Sequence, residues 1–197
     1  MKLFIILSLV CYWLACCAPS VTELAKTSPE TVIARKDELL ARKSVSEETL
    51  MAVVNAYNTL GSTALNAKNY DEAEKQFKES LVLDNKNKQA KYGLAMIEGL
   101  RLFKKGNRLA LWDSLEKFGE ATYFDPTKGE PYYWMGRAYE KKDDGDFELI
   151  VEAYENALKG NLNPELKTEE EKSITHQQSA RKSLLIQNLT FHLLNIF

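Results

Sequence analysis

Apolar and polar positions fall into blocks along this chain, and the period changes from block to block. After Lys2, an apolar run from Leu3 to Leu14 is broken only by Ser8. A run of about twelve residues is too short to cross a bilayer as a helix and fits the core of a signal peptide. Residues 18–28 are mostly polar and are expected to form a tether. Ser28, Pro29 and Glu30 then open a helix, with a capping hydroxyl, proline at the first helical position and an acid in the first turn. That helix is expected to run to about Lys43, with Val32, Ile33, Leu39 and Leu40 as its apolar positions. The next helix has two possible starts. Ser44 and Glu47 have capping-box spacing, whereas Val45 and Leu50 can staple across Ser46.

From Tyr57 to Asn85 the pattern becomes that of two short helices, the second opened by Tyr70-Asp71-Glu72-Ala73. Tyr57, Leu60-Gly61, Tyr70, Ala73, Phe77, Ser80 and Leu81 mark their facing stripes. Small residues at Gly61 and Ala73 allow close approach, and Tyr57 and Phe77 fill the volume around them. This segment resembles the tetratricopeptide repeat, a helix–turn–helix of about 34 residues with a large residue, Leu-Gly, Tyr, Ala and Phe at set offsets. Pro131 to Asn161 resembles a further copy. Tyr132, Met135-Gly136 and Tyr139 mark its first helix, and Phe147, Ile150, Tyr154, Ala157 and Leu158 its second. A degenerate copy over residues 88–128 lies between them and ends in Ala121-Thr122-Tyr123-Phe124-Asp125-Pro126. Leu94-Ala95 and Gly106-Asn107 suggest about one extra turn in each of its helices.

The resemblance implies an all-α fold, a short right-handed α-solenoid of about three helix–turn–helix pairs with flanking N- and C-terminal helices. The expected organisation is a leader over 1–17, a tether and N-terminal helix over 18–43, the repeat domain over 44–164, and a linker and C-terminal apolar helix over 165–197. In that last part, nine of the fourteen residues from Leu184 to Phe197 are hydrophobic. A final helix packed on the last repeat is the first reading, and a partner-binding or oligomerising helix is the second.

Charge and cysteine usage narrow the function. The formal net charge is -2, without the basic excess that a nucleic-acid binder shows. All three cysteines, Cys11, Cys16 and Cys17, lie in the leader, so the folded part has no disulfide framework or thiolate metal site. Leu14-Ala15-Cys16-Cys17 resembles the lipobox of bacterial lipoproteins. Cys17 is the favoured lipidation site, with Leu14 correctly placed before it. Cys16 is the alternative, with Trp13 in the leucine position, and an ordinary cleaved signal peptide is the third reading. Lipidation implies an exported protein anchored to a bacterial membrane, facing the periplasm or cell surface.

Catalytic signals are weak. His176 and His192 have no ligand partner at metal spacing, and Asp143-Asp144-Gly145-Asp146 lacks the register of a calcium loop. No enzyme, metal or cofactor is therefore expected. The tetratricopeptide resemblance instead implies a concave groove lined by the first helix of each pair, which holds a protein or peptide partner. It places Asn58, Ser62 and Asn66 there from the first copy, Tyr92 and Met96 from the second, and Tyr133, Arg137 and Lys141 from the third. The implied function is an interaction scaffold in a bacterial envelope assembly complex. The alternatives are a solute-binding or enzymatic protein using the groove as its pocket, and a structural homo-oligomer built through the C-terminal helix.

Overall fold

The structure, a computed structural model, describes residues 19–41, 44–142 and 146–162 together with Leu166, Thr168, Lys172, Ser173, Thr175 and His176. The lipobox cysteines Cys16 and Cys17, the turn residues 143–145, His192 and the apolar stretch 184–197 lie outside the described residues. Among the described residues every regular element is an α-helix, apart from one isolated backbone bridge between Lys128 and Asn161. The chain divides into two compact units, residues 1–86 and 87–197.

The first unit contains α1 (Val21–Thr27), α2 (Pro29–Ala34), α3 (Lys36–Leu40), α4 (Glu47–Asn66) and α5 (Tyr70–Leu83). Its core joins Ala25, Val32 and Leu39 of the short helices to Ala52, Val53, Ala56 and Tyr57 of α4. This corrects the expected tether, because residues 21–27 are helical and packed. Val21, Leu24 and Ala25 fall one turn apart and bury against the core, while Ser20 Oγ accepts from the Glu23 N–H at 3.1 Å. The expected helix from Pro29 to Lys43 is likewise two pieces, divided at Arg35. The β-branched run Thr31-Val32-Ile33 just before the break lowers helix propensity there. Val32 and Leu39 still reach the same core from either side.

Ser46 is the residue that starts α4, its Oγ accepting from the Thr49 N–H at 3.1 Å. The capping box on Ser44 is not used. At the far end of α4, Lys68 takes a left-handed conformation with φ 59°. The Asn69 N–H then reaches back to the Ala64 carbonyl at 2.9 Å, and Asn69 caps α5. A connection of three residues, Ala67 to Asn69, therefore ends one helix and begins the next.

The second unit contains α6 (Lys88–Lys105), α7 (Arg108–Phe124), α8 (Glu130–Lys142) and α9 (Phe147–Lys159). Asn87 and Asn107 cap α6 and α7 through their side-chain oxygens. Gly106 closes α6 in the left-handed region at φ 71°, where glycine has no Cβ to strain. With 17 residues, α7 is longer than its counterparts α5 and α9 at 14 and 13 and carries the expected extra turn, whereas α6 at 18 lies between α4 at 20 and α8 at 13. After α9, Asn161 N–H donates to the Thr127 carbonyl at 2.8 Å, and Leu166 packs against the cluster formed by Tyr133, Ile150, Tyr154, Ala157 and Leu162.

One packing rule repeats in all three pairs, α4–α5, α6–α7 and α8–α9. A glycine in the first helix sits under an aromatic ring from the second: Gly61 under Phe77, Gly99 under Phe118 and Gly136 under Tyr154. A Cβ on these glycines would come within 2.7, 2.6 and 2.6 Å of the ring, closer than van der Waals contact permits. Three residues after each ring come Ser80, Ala121 and Ala157, all 0% exposed. The protein is therefore built of tetratricopeptide-like helix pairs, and the middle pair obeys the same rule as its neighbours.

Candidate functional site

Counting from the shared glycine sets the register of the first helices. Three residues before it lie Asn58, Met96 and Tyr133, each 2% exposed. One residue after it lie Ser62, Leu100 and Arg137, partly exposed, and five after it Asn66, Lys104 and Lys141, all exposed. Asn58, Met96 and Tyr133 thus lie in the packing beneath the surface, a correction to their expected place in an open groove. Tyr92 needs the same correction, since it is buried and sits one turn before Met96. The expected register in the middle copy was therefore one turn early, and the positions matching Ser62 and Asn66 are Leu100 and Lys104.

The second unit brings α6 and α8 together through side chains that the sequence reading missed. The rings of Phe103 and Trp134 meet edge to face at 5.3 Å, and Trp134 meets Tyr133 at 5.2 Å. Lys141 Nζ lies 4.7 Å from the Phe103 ring centre and donates to the Phe103 carbonyl at 3.1 Å. The lysine thereby satisfies a carbonyl in the last turn of α6, where the helix dipole favours a cation. Arg137 donates to the Tyr133 hydroxyl at 2.9 Å and pairs with Glu140 at 3.5 Å. Lys104 and Lys105, which follow Phe103 in the chain, are exposed at the end of α6. The arrangement offers apolar faces edged by positive charge, which suits an acidic segment carrying apolar anchors.

Tyr92 has a different part. Burial pushes its hydroxyl far above the usual phenol range, with the carboxylates of Glu130 and Asp125 adding to the shift. Burial also raises the Glu130 carboxyl above its ordinary value of 4.5, against the pull of Lys128 and of the Tyr92 hydroxyl. The folded state therefore binds more protons than the unfolded chain over the window from 4.5 up to the raised value. Stability contributed at this site is present below that window and is lost as pH rises through it. Glu130→Gln is expected to leave neutral-pH stability equal to or above wild type and to flatten the stability profile as pH rises above 4.5, as measured by denaturant unfolding at a series of pH values. A variant less stable than wild type at pH 7 would show that the ionised carboxylate is a favoured partner.

In the first unit a cleft of about 430 Å³ opens against α2, α4 and α5. Ile33, Leu60, Ala64 and Ala67 line it, with Glu30 and Glu72. Among the described residues no group of histidine, cysteine and carboxylate side chains could hold a metal ion, and no helix is long and apolar enough to cross a membrane. His176 is exposed.

No family model matches the chain, and no curated protein matches it. Among solved structures the chain is similar to MamA 41-end from Desulfovibrio magneticus RS-1, at 15% identity. The match covers 88% of this chain and 93% of that one, with a TM-score of 0.45.

Proposed function

We propose that this protein is an exported, lipid-anchored scaffold that holds a partner protein, and that the α6/α8 surface is where the partner sits. The Phe103–Trp134 pair edged by Lys104, Arg137 and Lys141 carries the reading. Half-buried aromatics beside cations are the composition of protein-binding hot spots. An acidic partner segment with apolar side chains would place those side chains on the two rings and its carboxylates against the cations. The anchor rests on the lipobox resemblance at Cys17, or Cys16, and places the scaffold on a bacterial membrane facing the periplasm or cell surface. A complex that assembles in the envelope is the setting that this combination fits.

Affinity capture from detergent-solubilised envelope tests the surface. Trp134→Ala and Lys104→Glu are each expected to lower partner recovery about tenfold, the effect of losing one well-placed hot-spot side chain. Recovery of the same partners at wild-type yield by both variants would refute the assignment. Mass spectrometry of the mature N-terminus tests the anchor, which an unmodified start beyond residue 17 excludes.

A solute-binding role is favoured by one observation only, the apolar cleft beside α2, α4 and α5. Small-molecule retention through native purification, lost on Ala64→Trp, distinguishes it from the scaffold reading.

A further inference from the structure

The outward face of α7 is built unlike those of its sister helices. At steps of four, three and four residues, Trp112, Glu116, Gly119 and Tyr123 line up along the helix. Trp112 is 47% exposed, Tyr123 81% and the adjoining Leu109 72%. Aligned on the ring residues Phe77 and Tyr154, the same four positions are Asp71, Lys75, Lys78 and Val82 in α5, and Glu148, Glu152, Glu155 and Lys159 in α9. The sister helices meet solvent there almost entirely with charge, whereas α7 presents two aromatic rings and a glycine.

Gly119 is the second observation. A Cβ added there would find nothing within 4 Å, so no neighbour in the chain requires glycine at this point. In an exposed helix interior glycine costs about 1 kcal/mol relative to alanine. Its consequence is a notch between two exposed rings, about 10 Å from Trp112 and about 6 Å from Tyr123 along the axis at 1.5 Å per residue. A gap of that length accepts the width of a crossing helix.

Charge decides what kind of helix. Asp113 and Glu116 are exposed and make no ion pair among the described residues, while Glu120 is met at 3.3 Å by Lys117, which also turns to Glu98 at 3.4 Å. The cations at the two ends of this face are turned to other groups: Lys142 lies 3.7 Å from the Trp112 ring centre and pairs with Asp146 at 2.7 Å, and Lys91 lies 5.9 Å from the ring centre of Phe124, the neighbour of Tyr123. The face is thus apolar with an acidic flank, opposite in sign to the α6/α8 surface. We infer that it is a second docking surface, which seats a basic amphipathic helix of a protein partner across Gly119, between Trp112 and Tyr123. An anionic membrane is disfavoured by the same acidic flank.

The test uses the full chain and two synthetic helical peptides of about 18 residues, each with a leucine stripe and the remaining positions lysine in one and glutamate in the other. Tryptophan fluorescence titration is expected to show micromolar binding of the lysine peptide and none of the glutamate peptide. Gly119→Leu and Glu116→Lys are each expected to weaken binding about tenfold or more. The leucine enters open solvent and improves helix propensity, so this variant keeps its fold. Glu152→Lys, at the matching position of α9, is expected to leave binding unchanged. Equal binding of the two peptides overturns the inference, as does Glu152→Lys weakening binding as much as Glu116→Lys. Binding of phosphatidylglycerol vesicles that is lost in Gly119→Leu would make the occupant a membrane, and a dimer converted to monomer by Tyr123→Ser would make it a second copy. Either result also overturns it.

Discussion

Phe118→Ala is expected to lower the unfolding free energy by about 3–5 kcal/mol, the usual cost of removing a fully buried aromatic ring. The ring is 0% exposed and rests against the backbone of Gly99, so its loss empties the contact between α6 and α7. The reverse intrusion is also costly. Gly99→Ala would place a methyl group 2.6 Å from the ring, and overpacking of that kind costs about 1–3 kcal/mol. This loss has to overcome the gain of about 1 kcal/mol that alanine brings to a helix interior. Because ring and glycine share one space, the two changes are not independent. Gly99→Ala combined with Phe118→Leu is expected to cost less than the sum of the single variants, since leucine vacates part of the volume that the methyl needs. Urea unfolding followed by tryptophan fluorescence measures this, with Trp112 and Trp134 reporting on the second unit. A Gly99→Ala variant as stable as wild type would refute the close approach.

The same contact explains how much of the fold could be read from the chain. The outer two pairs were legible because Leu60-Gly61 and Met135-Gly136 place an apolar residue before the glycine, with Phe77 and Tyr154 following at familiar distances. In the middle pair Glu98 precedes Gly99 and a longer α7 delays Phe118, so the decisive glycine lay unrecognised between Leu94-Ala95 and Gly106-Asn107. The slip of one turn put Tyr92 into the expected groove, although its side chain is buried beside Glu130. The tether failed for another reason. Val21, Leu24 and Ala25 make a stripe too short to stand out by period, and their helix is held by packing on α2 and α4. The aromatic pair Phe103–Trp134 joins two helices far apart in sequence, a tertiary contact that no local spacing announces. Arg137 and Lys141 stand one and five residues after Gly136, the first partly exposed and the second exposed. What remained unseen was that Lys141 closes the end of α6 and that Arg137 holds the Tyr133 hydroxyl.

Asp146→Ala is expected to destabilise the α8–α9 pair by about 2 kcal/mol, whereas Lys142→Met is expected to change stability by less than about 1 kcal/mol. The difference follows from where the charge sits. The Lys142 side chain is 2% exposed, and its ammonium group meets Asp146 at 2.7 Å while Asp146 itself is 30% exposed. Removing the carboxylate takes a 2.7 Å salt bridge from a buried cation, and removing the cation leaves an acid that solvent can reach. The aromatic neighbours reduce the first loss without abolishing it. Lys142 Nζ lies 3.7 Å from the Trp112 ring centre and 5.6 Å from that of Tyr139, and such cation–π contacts contribute about 2 kcal/mol when desolvated. The partial exposure of Asp146 sets the estimate below the 3–5 kcal/mol typical of a fully buried pair. A double-mutant cycle with chemical denaturation separates the charge effect from packing. Equal losses in the two single variants would show that the pair acts through shape alone. Since Trp112 covers this lysine from the outer face of α7, Asp146→Ala is also expected to shift the Trp112 emission, linking the buried ion pair to the surface above it.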